Sequence, residues 1–203
     1  MSRVAGLLLA AGAGRRMGGP KSLLRDRHGV PYLDRTVGLL LDGGCDSVTV
    51  VLGASADEAR ALLDAVGWSD DPAVEVVVAD DWDEGMGASL RTGLAALTAS
   101  DADAALVTLV DLPDVGEPVL RRVLDAGSGP AALVRATYGG RPGHPVLIGR
   151  DHWAGVAATA EGDRGARTYF RTHEPVACEC GDLATGRDLD RPEDLQAEQP
   201  GPA

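Results

Sequence analysis

The sequence predicts an α/β fold, a three-layer, doubly wound and mostly parallel sheet with a small antiparallel extension. Three observations carry that expectation. Four short apolar runs, Val4 to Leu9, Ser47 to Leu52, Val74 to Ala79 and Ala104 to Val110, are too short for lone helices. The first, Val4 to Leu9, is uniform enough to be a parallel strand buried on both faces. Between them, apolar residues recur at helical spacing, so strand and helix alternate through the first 130 residues. Beyond that point the rhythm changes, and two strands follow one another with too little chain between them for a crossover helix.

In order, the first strand runs into a glycine loop that reaches Lys21. Pro31 opens a helix through Leu33, Val37, Leu40 and Leu41, and Gly43-Gly44 ends it. After the second strand, Ser55-Ala56-Asp57-Glu58 has the spacing of a capping box, which predicts a helix to about Val66, with 67–73 as loop. The third strand leads through the acidic stretch Asp80 to Glu84 into Gly85-Met86-Gly87-Ala88-Ser89. That segment opens a helix through Leu90, Leu94 and Leu97. The fourth strand delivers Asp111-Leu112-Pro113-Asp114 to the same sheet edge, and Glu117 to Ala126 is helical by pattern.

Ala131 to Tyr138 and Pro145 to Ile148 form the antiparallel pair, joined by Gly139 to His144. A helical region containing Gly165-Ala166-Arg167 follows, then a short strand near Val176 to Cys180. Pro192 sits in the first turn of a final helix that Asp188 to Asp194 begins. The expected organisation is one domain over 1–195 with a frayed, proline-containing tail over 196–203.

Composition excludes several classes of function. A formal net charge of −12 argues against nucleic acid as partner, because phosphate backbones are bound by broad basic surfaces and the cations here are local. Three cysteines, Cys45, Cys178 and Cys180, suit reduced cytosolic thiols rather than a disulfide framework or a four-ligand zinc site. No apolar run approaches the roughly 20 residues of a membrane span, and the amino terminus lacks a signal-peptide layout. A soluble cytoplasmic protein is the expectation.

The chemistry starts in the loop. Gly12, Gly14, Gly18 and Gly19 let backbone N–H groups approach a ligand, while Arg15, Arg16 and Lys21 surround the same space with positive charge. That combination suits a polyphosphate at the carboxyl edge of an open sheet. It is neither a dinucleotide fingerprint, since Met17 stands where the third glycine belongs, nor a Walker loop, since Pro20 separates the last glycine from Lys21.

Asp111, at the end of a buried strand, is placed to bind Mg²⁺, a hard cation that uses one or two protein carboxylates beside phosphate oxygens. A plain turn cap is the alternative. Asp190 is the second candidate metal carboxylate, with a helix cap before Pro192 as its alternative. On residue type alone, Ser89 with Gly87 reads as a helix start, and His144 before Pro145 as structural.

The segment Leu7 to Lys21, together with the segments around Ser89, Asp111, Arg141 to Val146, Gly162 to Arg167 and Asp190, resembles the MobA/MocA-like nucleotidyltransferases that activate molybdenum cofactor. The resemblance covers nearly the whole chain and points to the cytidylyltransferase branch. It implies a Rossmann-like sheet of the nucleotide-diphospho-sugar transferase type, with a loop that wraps the triphosphate of an NTP. Leu9, Ala10, Ala11, Gly12, Gly14, Lys21, Gly87 and Ser89 would then bind nucleotide. Asp111 and Asp190 would hold Mg²⁺, although Arg191 replaces a threonine of the family's pattern. Arg141 and His144 would face the acceptor, and Arg16, Lys21 and Asp111 would carry catalysis.

The resemblance further implies CTP as donor and molybdopterin or molybdenum cofactor as acceptor, with a molybdoenzyme or its maturation factor as a partner. A phosphate monoester, with its second pKa near about 6, needs no general base, so positioning and charge neutralisation suffice. In guanylyl-transferring relatives the second alanine of Ala10-Ala11-Gly12 is a glycine. The Ala11 methyl therefore favours CTP over GTP. Transferases acting on sugar phosphates or other phosphorylated metabolites remain alternatives, as does a non-catalytic cofactor chaperone, which the joint presence of Lys21 and Asp111 disfavours.

Overall fold

A computed structural model describes residues 2–197. Seven strands, β1 (Val4–Leu9), β2 (Ser47–Leu52), β3 (Val74–Val78), β4 (Ala104–Leu109), β5 (Leu133–Tyr138), β6 (Arg141–Gly149) and β7 (Val176–Glu179), form one sheet. Their order is β3-β2-β1-β4-β6-β5-β7. β1 pairs in parallel with β2 and β4, β2 with β3, and β5 with β7, whereas β6 runs antiparallel to both of its neighbours. The expected α/β class and the antiparallel extension are both present.

Helices α1 (Tyr32–Asp42), α2 (Ala56–Val66) and α4 (Glu117–Asp125) cover one face, and α3 (Met86–Leu97) and α5 (Arg150–Thr159) the other. A short α6 (Pro192–Ala197) closes the described chain. Strand alternation sorts side chains between two cores. Leu8, Val50 and Leu106 meet Leu33, Leu40 and Leu120 on one side, and Leu7, Val51 and Val107 meet Leu90, Leu94 and Trp153 on the other. Every residue of β1 is buried, as a parallel strand under two helical layers must be.

Close approach of helix to sheet depends on Gly93 in α3. A Cβ there would lie 2.4 Å from Leu7 Cδ1 and 2.9 Å from Val51 Cγ2, so only hydrogen lets the helix settle onto the strands. That contact seats α3 on β1 and β2.

The structure differs from expectation at several boundaries. Ser55 precedes α2 as foreseen, but its φ of 55° puts it in the left-handed region and its side chain makes no capping bond, so the capping box does not form. β6 begins at Arg141, leaving only Gly139-Gly140, both at positive φ, as the turn. β5 starts two residues later than expected, at Leu133. The 67–73 loop contains a 3-10 turn over Trp68–Asp70, and the region around Gly165 is a 3-10 segment, Gly162–Arg167, preceded by α5. Of the tail expected over 196–203, residues 196 and 197 complete α6 and 198–203 lie outside the described residues. Among the described residues no helix is long and apolar enough to cross a membrane.

Candidate active site

The carboxyl ends of β1 and β4 are adjacent, and the loops that leave them enclose a cleft of about 390 Å³. Its walls are Leu9 to Arg15 and Lys21 from the glycine loop, Leu109 to Asp111 from β4, Ser89 and Met86 from α3, Trp82 to Gly85, and Asp163. The loop is folded on itself: the N–H of Met17 donates to the carbonyl of Gly14 at 2.8 Å, and the N–H of Lys21 reaches the carbonyl of Gly12 at 3.4 Å. Gly14 has φ of 55°, and a Cβ there would fall 1.9 Å from the carbonyl oxygen of Gly19, so this turn admits glycine alone.

Lys21 organises the charged end of the cleft. Its Nζ is in contact with Asp111 Oδ2 and lies 2.9 Å from Asp190 Oδ1. Arg16 Nη1 approaches Asp190 Oδ2 at 3.5 Å. Burial alone would lower the Lys21 ammonium pKa, but the Asp111 and Asp190 carboxylates outweigh it and the net shift is upward. Asp111 is itself only 6% exposed. Burial raises its carboxyl pKa against the opposing pull of Lys21, and nearby Asp188 adds to the rise. The geometry is that of an ion pair, short of positive charge on the carboxylate side.

One atom makes that shortage concrete. Asp111 Oδ1 is buried and has no hydrogen-bond partner, while Oδ2 is engaged by Lys21. A buried carboxylate oxygen left unpaired is costly, and a cation at this spot would satisfy it. Asp111 and Asp190 therefore fit a divalent cation whose remaining ligands are phosphate oxygens and water, the arrangement Mg²⁺ prefers. Among the described residues no group of three or more His, Cys, Asp or Glu could hold a metal by protein ligands alone.

Asp190 is held by a local cap at the start of α6 and by one tertiary bond from its neighbour Leu189. Asp194 Oδ2 accepts the N–H groups of Asp190 at 3.0 Å and Arg191 at 2.9 Å. Those two bonds push the Asp194 carboxyl pKa down. The N–H of Leu189 donates to the carbonyl of Asp111 at 2.9 Å. The substitution of arginine at 191 thus leaves the neighbouring carboxylate in place.

Other expected residues fall in different positions. Ser89, 4% exposed, lines the cleft, but Gly87 does not. A Cβ on Gly87 would stand 2.8 Å from the backbone of Ala160 and Glu161, so its smallness serves packing of α3 against the segment after α5. His144 is half-buried on β6, outside the cleft lining. Arg141 is exposed and pairs with Tyr138, which belongs to the core beneath α1 and α4. Between Arg141 and His144 the β5–β6 register shifts, and among the described residues no hydrogen bond joins the two side chains.

The turn between β5 and β6 is anchored by Glu179 of β7. Its carboxylate accepts N–H groups of Gly139, Gly140 and Gly181 at 2.8 to 3.0 Å and the Thr137 hydroxyl at 2.8 Å. The Gly140 amide, the Thr137 hydroxyl and the Gly139 amide pull its pKa down to about 2.

Three comparisons bear on this arrangement. The family model described as the MobA-like NTP transferase domain matches residues 6–176. Nicotine blue oxidoreductase of Paenarthrobacter nicotinovorans is 37% identical over 95% of this chain and 94% of its own length. Molybdenum cofactor guanylyltransferase of Rhodobacter capsulatus is 29% identical over 74% of this chain and 66% of its own. Among solved structures, Rv0371c of Mycobacterium tuberculosis superposes with a TM-score of 0.78 at 28% identity, covering 97% of this chain and 96% of that one. A manganese complex of Rv0371c superposes at 0.74 with 27% identity, covering 98% and 100% of the two chains.

Proposed function

The chain belongs to the MobA-like NTP transferase family, and on that premise we propose that it transfers CMP from CTP to a phosphorylated acceptor of the molybdopterin type, releasing pyrophosphate. The observation that carries this reading is the convergence of Lys21, Asp111 and Asp190 beside a glycine loop in one cleft. A site that only stored a cofactor would not require a half-buried lysine shared between two carboxylates.

The loop N–H groups and Arg15 cradle the triphosphate, and Lys21 and Arg16 meet the charge that develops on the leaving pyrophosphate. An oxygen of the acceptor's phosphate, dianionic at neutral pH, attacks the α-phosphorus. The bond between that phosphorus and the α–β bridging oxygen breaks, and pyrophosphate departs with those electrons. Asp111 and Asp190 would hold Mg²⁺, which supplies charge neutralisation between nucleotide and enzyme. The support for Mg²⁺ here is the unpaired Asp111 Oδ1 and the manganese bound to a homologous fold.

The preference for CTP rests on Ala11. Its methyl is wedged against Gly53, where a Cβ would be only 2.7 Å from it, and its carbonyl accepts the N–H of Ala54 at 3.0 Å. This floor of the cleft has little freedom to withdraw from a larger base.

One observation favours a second reading. The relative named nicotine blue oxidoreductase matches over nearly the whole chain, which supports an oxidoreductase acting in the same cleft. The two readings part on a direct assay. Pyrophosphate release from each of the four NTPs with Mg²⁺, with and without molybdopterin, tests the transferase. Loss of nicotine blue with NADH or NADPH as reductant tests the oxidoreductase. Pyrophosphate release that requires the acceptor establishes the first, and pigment reduction without any such release overturns it.

A further inference from the structure

A second depression, a groove of about 470 Å³, runs between α2 and the segment that follows the glycine loop. Its walls are apolar, with Leu23 and Pro31 on one side and Ala61, Leu62, Ala65 and Val66 of α2 on the other. The helix carries two apolar stripes. Ala59 and Leu63 are fully buried in the core, as one face of a surface helix should be. Positions 58, 61, 62, 65 and 66 recur at three- and four-residue spacing and form a second stripe toward the groove, where polar residues are the rule. On that stripe Ala61, Ala65 and Val66 are exposed and Leu62 is half-buried. Val66 is 44% exposed, and Val30, which directly precedes Pro31, is 39% exposed. Two of the five large apolar side chains exposed among the described residues thus gather at one groove, a concentration that marks a contact surface.

The wall opposite α2 is firmly built. Arg25 and Pro31 pair as an antiparallel bridge, and the N–H of Tyr32 donates to the carbonyl of Leu24 at 3.0 Å. Inside that hairpin Asp26 Oδ1 accepts the N–H groups of His28 at 2.8 Å and Val30 at 2.9 Å. The rim carries one exposed charge of each sign, Arg25 on the hairpin and Glu58 on α2. Arg25 Nη1 donates to the carbonyl of Gly29 at 2.8 Å, and among the described residues neither Arg25 nor Glu58 forms an ion pair. A net charge of −12 opposes contact between copies of this chain wherever the surface is uniformly acidic. This groove, an apolar floor between a cation and an anion, is instead its own complement. A two-fold axis across it sets Arg25 of one copy against Glu58 of the other, twice, and brings the stripe of Leu62 and Val66 against the same stripe.

We propose that this groove is a self-association surface, filled by a second copy of the chain in a two-fold dimer that packs α2 against α2. The proposal is independent of the reaction that the cleft performs. No residue lines both the groove and the cleft, so the dimer leaves each cleft open. Leu23 and Lys21 share one 3-10 turn, Lys21–Leu23, so the partner covers the outer side of the turn whose first residue reaches Asp111 and Asp190.

Sedimentation equilibrium of the full chain, between about 1 µM and 1 mM, tests this. The wild type is expected to show a monomer–dimer equilibrium that added salt weakens. Arg25→Glu and Glu58→Arg each set like charges across the axis and weaken association by about tenfold or more. The two variants mixed in equal amounts recover it, because both pairs across the axis of the mixed dimer are again opposite in sign. The double variant, with the signs exchanged, recovers it too. Val66→Asp abolishes association and leaves the circular dichroism spectrum unchanged, and should it unfold, the charge variants at the exposed rim decide alone. A wild type that stays monomeric across the range, as it would if the groove served a different macromolecule, overturns the proposal. So does a dimer indifferent to these substitutions, or a pair of variants that fails to associate on mixing.

Discussion

The N–H of Leu189 donates to the carbonyl of Asp111, and this bond ties the segment that carries Asp190 to the strand end that carries Asp111. The two carboxylates consequently act as a unit, with Lys21 between them. Asp111→Asn keeps the shape and removes the buried charge, so Mg²⁺-dependent pyrophosphate release is expected to fall by about 10²–10³ or more, on the scale of losing one preorganised transition-state contact. Circular dichroism should show a retained fold. Asp190→Asn, at a more exposed position, loses less.

Lys21 lies between the two carboxylates. Lys21→Met removes that cation and leaves two carboxylates facing one another, which raises their demand for a metal. Binding of Mn²⁺ without nucleotide, followed by electron paramagnetic resonance, is expected to tighten at least tenfold. Turnover should fall by about 10²–10³ because the pyrophosphate loses its partner. Unchanged Mn²⁺ affinity would mean that Lys21 does not stand in for the metal.

Ala11→Gly addresses the base. Forcing a larger purine past the Ala11 methyl costs about 1–3 kcal/mol of overpacking, or roughly five- to 150-fold in favour of CTP. Competition kinetics with both nucleotides and one acceptor should show CTP preferred in kcat/KM, and Ala11→Gly should narrow the gap chiefly by improving GTP. A wild-type preference for GTP sinks the cytidylyl assignment.

His144 gives the protein an acid weakness with a defined sign. Its folded pKa of about 4 lies below the ordinary 6.5, through burial, Arg135 on β5 and Arg167 on the 3-10 segment. The unfolded chain therefore binds a proton between those values that the folded chain refuses. Stability from this residue is unaffected above pH 6.5 and declines as pH falls from 6.5 toward 4. Thermal unfolding across that window should show a shallower loss in His144→Gln than in wild type. Parallel curves would remove His144 from the account.

Much of the frame was readable in the chain because buried parallel strands demand uniform apolar runs, and β1, β2 and β4 have them. Asp111 was readable because it follows such a run. The capping box at Ser55 failed since backbone strain, not side-chain bonding, sets that turn. The start of β6 at Arg141 was hidden because its first residues lie beyond the core and carry no apolar signature. Which face Arg141 and Arg135 present is decided by pairing with Tyr138 and Val146, long-range facts that local spacing does not contain. Asp194, by contrast, grips the N–H groups of Asp190 and Arg191 only four and three residues back, a local cap within reach of spacing, whereas the bond from Leu189 to Asp111 is long-range.

The lone reversed strand divides labour along the sheet. Parallel strands bring their exits to the working edge, so the donor cradle is made of chain leaving a buried run, where every neighbour is already committed. β6 instead brings its entrance, and the residues ahead of Val146 arrive at that edge before the core claims them. On the proposed transferase reading, substitutions there are expected to change the second substrate while the glycine loop, Lys21 and Asp111 stay seated. The fold thus keeps a fixed tool and an exchangeable jaw, meeting at the seam between Val107 and Val146.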